Sequence, residues 1–288
     1  MDVRNEQTGT LIGSALSARD TAKWYRLELK VDATTVASTI VDARIDGVSF
    51  ASGTTDLTGS DKPQQATFGL SGAATLGDCF FDDIAINDST GSFQNSWPGA
   101  GSIIHLKPNA TGDSAQWTPT SGDNYTNVDE VTPNDATDLV ADSVLNDSDL
   151  YNVADSGIGA SDTVNVVQVG VRFRNDVADA TTQFKVQAEK ASGSTIAQST
   201  AITPNSTTWK TNATATPFNY PLTLHQDPDS SNWTQATLDT MQIGVKSTLI
   251  GVNKNQVSTV WALVDYTPAA APPLPQLGGL FWRGGIPT

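Results

Sequence analysis

An all-β fold, built as two β-sandwich segments followed by an extended C-terminal arm, is what this sequence predicts, and three observations predict its strands. Apolar and polar residues alternate with period two through most of the hydrophobic stretches, the signature of strands with one buried face. Of the 31 acidic residues 27 are Asp and four are Glu, and Asp favours turns where Glu favours helices. Clusters of Gly, Pro, Ser and Asn punctuate the chain at short intervals, and a single stretch has a helical period.

The first segment, residues 1–95, opens with strands at "WYRLELKVD" (24–32), "TIVDARIDGVSF" (39–50) and "QATFGLSG" (65–72). Within the second of these, Asp46-Gly47 predicts a hairpin closed by a type I′ turn, because both central residues of that turn need positive φ. "GDCFFDDIAIND" (77–88) reads as a further strand interrupted by Asp82-Asp83, through a bulge or a ligand. A boundary follows at "STGSFQNSWPGAG" (89–101), where Gly, Ser, Asn and Pro cluster without period.

The second segment, residues 101–267, begins with a strand at 102–108 and a long Pro- and Gly-punctuated connection over 112–135 containing a short turn. Short strands are expected at 137–143 and 148–155. Residues 163–176 and 181–193 both alternate over most of their length and are expected to pair as adjacent antiparallel strands. The helical stretch is 229–245, with Thr234 as its cap and Ala236, Leu238 and Met241 on its apolar face. Strands at 242–248 and 255–268 close the segment.

Composition removes several classes of function. The 288-residue chain is long enough for one or two domains with a buried core. Its formal net charge of -15, with no basic cluster, argues against a nucleic-acid partner. Cys79 is the single cysteine, so no disulfide framework forms within the monomer, and Cys79 is expected as a small buried apolar side chain. No run approaches the length of a membrane-spanning helix. "MDVRNEQTGT" lacks the charged-then-apolar order of a secretory signal, which points to synthesis and retention in the cytoplasm. Asn-x-Ser/Thr triplets, as at Asn109, Asn205 and Asn212, follow from the abundance of these residues.

Two resemblances attach to these residues. "WYRLELKV", "ARIDGVSF" and "FDDIAIND" together resemble the second half of a concanavalin A-like, laminin-G-type jelly roll of the kind found in tailed-phage structural proteins, over about residues 8–90. Such sandwiches need about twice this length, so the resemblance implies that the start of the domain is missing or that another chain completes the sheets, leaving strand edges ready to pair. "HLKPNATGDSAQWTPTSGDNYTNVDEV", "WTQATLDTMQIGVK" and "STVWALVDYTP", in that order over about 101–268, resemble a recurring module of tailed-phage virion proteins. What the two imply is a virion structural protein, made in the host cytoplasm, such as a capsid decoration protein, a fibre or a tail-associated protein. Its partners would be other virion proteins and copies of itself, with no nucleic acid, membrane or cofactor. The alternative is a glycan-binding adsorption module that uses the laminin-G-like part.

Catalytic chemistry has little to stand on. His105 and His225 are the only histidines, no G-x-S-x-G elbow accompanies any Ser, and neither a Ser-His-Asp nor a zinc site is supported. Hydrogen-bonded structural histidines are the expectation. The four Glu lie far apart in sequence, and Asp82 and Asp83, as neighbours on a strand, would point to opposite faces. The laminin-G-like resemblance implies Ca²⁺ as one ligand, with "NDSDLYNVAD" (146–155) and "DPDSSN" (227–232) as oxygen-rich candidates. The reading of their residues is solvated turns, and no metal is expected. Trp24, Trp97, Trp117 and Trp209 are the candidates for stacking on a sugar, against core or interface positions. "LGGLFWRGG" follows no strand and opens no helix, so it is not a phosphate cradle.

The ending "APPLPQLGGLFWRGGIPT" (271–288) has neither helical nor strand period. After an Ala-Pro run expected to be stiff and close to polyproline II, it presents Leu274, Leu277, Leu280, Phe281, Trp282, Arg283 and Ile286. These are the expected partner-binding residues. Buried on a neighbour, each large apolar side chain would contribute about 1.5–3 kcal/mol before ordering costs.

Overall fold

The computed structural model of the protein describes residues 3–5, 8–15, 20, 23–58, 82–87, 89, 92–211, 221–249 and 251–269. The fold is all-β. Strands β1 (Leu27–Asp32), β2 (Thr39–Ile45) and β3 (Val48–Thr55) form an antiparallel N-terminal sheet in that order. Between β2 and β3, Asp46 and Gly47 have φ of 51° and 81°, the pair of positive values that the predicted type I′ turn requires. Asp46 also ties this turn to the chain entering β1: its amide donates to the Arg26 carbonyl (2.9 Å) and its Oδ1 accepts from the Arg26 amide (3.0 Å).

The expected strand at 65–72 lies outside the described residues, as do Cys79, Phe80 and Phe81. Residues 82–87, expected to continue a strand, are irregular. The reason is Asp83, at φ 49°. Its carboxylate leaves the local chain to accept from the Ile103 amide (2.8 Å) and the Ser102 hydroxyl (3.1 Å), pinning the entry to the next domain.

That domain holds β4 (Ser102–Leu106), β5 (Pro108–Ala115), β6 (Thr118–Pro119), β7 (Val140–Asp142), β8 (Ser148–Val153), β9 (Thr163–Asn175), β10 (Gln183–Glu189), β11 (Ile196–Gln198), β12 (Lys210–Thr211), β13 (Leu222–Leu224), β14 (Gln242–Leu249) and β15 (Asn255–Thr267). They make a five-stranded sheet, β11-β10-β14-β8-β5, and a seven-stranded sheet, β12-β9-β15-β7-β6 with β13 on β9 and β4 on β15. Most connections cross from one sheet to the other, the jelly-roll habit of a double sheet. The two inner faces bury Val, Ile and aromatic side chains, chiefly from β8, β9, β10, β14 and β15.

Two expectations need correction. β9 and β10 are not paired with each other; β9 pairs β15 and β10 pairs β14, and the two face one another across the core. The link between them is no tight hairpin. Over residues 176–182 the Asp176 carboxylate accepts from the Val177 and Lys254 amides, and the Asp179 carboxylate accepts from the Thr181 amide and from the hydroxyls of Thr181 and Thr182. These local bonds shape an arch that carries the chain from one layer to the other. The connection expected over 112–135 contains the end of β5, β6 and a short 3-10 turn at Asn124–Asn127. β5 is an edge strand of small polar residues with register shifts against β8, so its alternation is weak.

The helix is the single turn α1 (Gln235–Leu238). Thr234 caps it as expected, and the Thr237 side chain returns the bond to the Thr234 amide. Leu238 and Met241 point into the core, while Ala236 is exposed.

A buried carboxylate organises one end of the sandwich. Asp149, fully buried on β8, accepts from the Gln116 amide (2.6 Å), the Trp117 amide (2.8 Å), Asn124 Nδ2 (2.6 Å) and the Tyr151 hydroxyl (2.9 Å). Burial pushes its carboxyl above the ordinary value while the four donors pull it back. Trp117, held this way, meets Phe184 edge-on at 6.3 Å, and Phe184 meets Phe173 of the opposite sheet at 5.3 Å. Asp149→Ala removes the acceptor for several buried donors and is expected to cost about 3 kcal/mol or more. Urea denaturation checks this, and a loss under about 1 kcal/mol would contradict the assigned role.

Candidate functional site

The alternation of β1 places Leu27, Leu29 and Val31 on one face of the N-terminal sheet and Glu28, Lys30 and Asp32 on the other. The register sets Leu27, Leu29 and Val31 opposite Ile45, Ala43 and Val41 of β2, so this face is apolar across both strands. Around Ala51 and Gly53 of β3 it is covered. Ile12 is buried against Gly53, and Asn5 donates to the Thr55 hydroxyl (2.7 Å) and the Asp56 carbonyl (3.2 Å) to hold that cover in place. Over β1 it is open: Leu27 is 51% and Leu29 62% exposed, with Trp24 at 68% just before the strand. The side of β1 not bonded to β2 has no strand partner among the described residues.

The opposite face is satisfied by the chain itself. Glu28 is buried, paired with Arg26 Nε (3.2 Å) and accepting from the Gly99 amide (3.1 Å). The Arg44 guanidinium lies 3.9 Å from the centre of the Trp97 ring. Among the described residues, the boundary segment expected at 89–101 packs on the polar face and leaves the β1 part of the apolar face exposed.

Of the residues singled out in the sequence, the partner-binding set Leu274, Leu277, Leu280, Phe281, Trp282, Arg283 and Ile286 lies outside the described residues. The Ala269 amide, at the end of the last described stretch, donates to Asp162 (2.8 Å). Asp82 and Asp83 do not sit on a strand, and Asp83 serves as the staple on β4. His225 departs from the expected hydrogen-bonded histidine: it stacks on Phe93 at 5.1 Å, and its Nδ1 has no hydrogen-bond partner. His105 points outward from β4.

The two oxygen-rich loops are occupied by the protein's own groups. In the first, Asp149 is the buried hub described above. In the second, Asp227 accepts from the Asp229 and Ser231 amides (3.0 and 2.9 Å), and Lys190 Nζ sits 3.3 Å from Asp227 and 2.5 Å from Asp229. A lysine ammonium stands where a calcium ion would have to enter. The Asp229 carboxylate raises Lys190, and Lys190 lowers Asp229. Among the described residues no three His, Cys, Asp or Glu side chains gather closely enough to hold a metal.

The tryptophans divide by position. Trp117 is core, Trp97 lies under Arg44, and Trp209 is flanked by Arg174 and Arg172 at 4.5 and 5.8 Å. Trp24 is exposed beside the apolar face. Sequence reasoning passed over Trp261, which lies on the outer face of β15 against Gly170 of β9. The available signal was a glycine at an outward position of one long strand and a tryptophan at an outward position of another.

A cleft of about 460 Å³ on the outer face of the five-stranded sheet includes Glu189, which is 2% exposed and whose Oε2 has no hydrogen-bond partner. Burial, then Asp113, raise its carboxyl.

No protein-family model, no curated protein and no solved structure matches the chain. Its role is therefore argued from these surfaces. No described helix is long and apolar enough to cross a membrane.

Two outcomes follow. With Lys190 in the Asp227–Asp229 loop, excess calcium or EDTA is expected to leave the thermal midpoint unchanged, and a calcium-dependent rise of several degrees would contradict this assignment. Because Glu189 has a raised native value, the folded state binds more protons than the unfolded chain just above the ordinary glutamate range, so its contribution falls as pH rises through that window. Glu189→Gln is expected to remove this loss and stabilise the protein more at pH 7 than at pH 4, as read from denaturation midpoints at the two values.

Proposed function

We propose that this chain is a non-catalytic structural component of a tailed-phage virion, an accessory surface protein that works by docking to neighbouring subunits. The single observation that carries the reading is the half-covered N-terminal sheet. Its strand β1 has no strand partner on its outer side among the described residues, and it carries an apolar stripe, Leu27, Leu29 and Val31, next to exposed Trp24. A solvated edge with this stripe invites association with another chain. Burying the three stripe side chains would contribute about 1.5–3 kcal/mol each before association costs. The particular assignment to a tailed phage draws on the ordered sequence landmarks of both segments. The strongly acidic charge suits the solvent side of such an assembly, and the apolar ending from Leu274 to Ile286 supplies a second docking element.

The reading is tested by binding of the purified full-length chain to particles that lack it, measured by co-sedimentation. Wild-type protein is expected to sediment with particles, and the double variant Leu27→Glu, Leu29→Glu is expected to bind at least about tenfold more weakly. Its sandwich melting transition should be unchanged. Deleting residues 271–288 is expected to weaken binding independently. A wild-type chain that stays in the supernatant, or a double variant that binds as well as wild type, would overturn the proposal.

A further inference from the structure

β1 differs from the outer strands of the second domain. There, β5 shifts its register on β8, β6, β12 and β13 are two or three residues long, and the Ile103 amide of β4 is taken by Asp83. β11 falls out of step just past its end: Gln198 opposes Gln187 but Ile202 opposes Phe184, and the Ser199 hydroxyl between them takes the Val186 amide (3.0 Å). Short or irregular edges of this kind discourage pairing with another chain. β1 instead runs six residues in unbroken register on β2. Arg26, just before it, turns its carbonyl and its amide to Asp46 (2.9 and 3.0 Å), on the β2 side. Backbone groups alternate along an antiparallel strand, so Leu27, Leu29 and Val31 turn theirs to the outer side, where no strand of the described residues pairs.

The stretch from Arg26 to Asp32, "RLELKVD", is complementary to itself when read antiparallel. With Leu29 opposite the partner's Leu29, Leu27 meets the partner's Val31, Glu28 meets the partner's Lys30 and Arg26 meets the partner's Asp32. Apolar faces apolar, and each charge faces its opposite. Neighbouring alignments fail. An offset of two residues sets Glu28 on Glu28 with Arg26 against Lys30, or Lys30 on Lys30 with Glu28 against Asp32, and like charges across a strand pair are unfavourable. An offset of one puts the apolar stripe of one strand on the polar face of the other. Lys30 is exposed, and bonds to Arg26 and the Gly99 amide hold the Glu28 carboxylate in one position.

We infer that β1 is a homotypic interface: two copies of this chain join their β1 strands antiparallel, about a two-fold axis at Leu29, into a continuous sheet with three strands from each copy. The inference rests on the reading of β1 as a docking element and names a second copy as the partner along its edge. Complementarity of a strand to its own reverse is a property that only a second copy uses. Leu29 and the partner's Leu29 form a hydrogen-bonded pair, flanked on each side by Leu27 of one copy with Val31 of the other. Such an interface is isologous and closed, so it stops at two copies. The two apolar stripes come to lie side by side on one face, which doubles the band open to a further subunit of the assembly.

Sedimentation velocity on the full-length chain tests the pairing, and cysteine crosslinking reads its register. Wild type is expected to be dimeric at about 100 μM, and Leu29→Glu and Lys30→Glu are each expected to weaken dimerisation at least about tenfold with the sandwich melting transition unchanged. In a Cys79→Ala background, Leu29→Cys should crosslink to itself on mild oxidation, because a hydrogen-bonded pair sets its Cα atoms about 5.5 Å apart, within the span of a disulfide. Leu27→Cys and Val31→Cys should each fail to crosslink alone and should crosslink when mixed. A wild type that is monomeric at this concentration, a dimer unaltered by Leu29→Glu, or Leu27→Cys and Val31→Cys crosslinking to themselves as readily as to each other would overturn the inference. The docking reading fails separately: a monomeric chain whose particle binding is still lost in Leu27→Glu, Leu29→Glu docks β1 on a different protein, whereas particle binding retained in that variant ends the docking reading itself.

Discussion

A sheet whose one face is apolar has to cover that face, and the two parts of this chain meet the requirement in different ways. In the second domain two sheets cover each other, and Trp117, Phe184 and Phe173 run edge to face from one layer to the next. In the N-terminal sheet the segment ending near Ile12 covers β3 around Ala51 and Gly53, and among the described residues β1 stays open. The polar face of the same sheet is the one that packs on the boundary segment, through Glu28 to Gly99 and Arg44 on Trp97. The orientation of the small sheet thus presents its apolar stripe outward. Everything proposed about assembly depends on this arrangement.

The acidic composition acquires a structural meaning in the same way. A chain so rich in Asp could be a solvated surface or a set of metal loops, yet many of its carboxylates close the protein's own turns. Asp83 staples β4, Asp176 and Asp179 build the arch between β9 and β10, and Asp227 with Asp229 holds Lys190. Asp149 goes further, bringing the chain before Trp117, the 3-10 turn and β8 onto one buried group. Short acceptor side chains next to backbone amides are well suited to irregular connections between strands.

Much of the architecture was legible in the sequence, because period-two alternation and turn chemistry are local signals. The Asp46-Gly47 hairpin, the Thr234 cap and the long strands β9, β14 and β15 are all of this kind. Strand pairing was not legible: β9 and β10 look like a hairpin until the Asp-built arch at 176–182 separates them into opposite layers. β5 and β11 to β13 were hidden because short or polar edge strands carry little hydrophobic pattern. The contact of Trp261 with Gly170 was hidden for another reason. Trp261 and Gly170 lie far apart in the chain, and only the β9–β15 register brings them together. The open stripe on β1 was half visible, since its alternation is plain in "LELKV" but nothing local reveals which face the chain would cover.

The central claim is that another chain covers β1. Photo-crosslinking from a benzophenone side chain placed at position 29 in assembled particles tests it most directly. The account predicts adducts between this chain and a second polypeptide, another copy or a different protein. Crosslinks confined to residues of the same chain would contradict it.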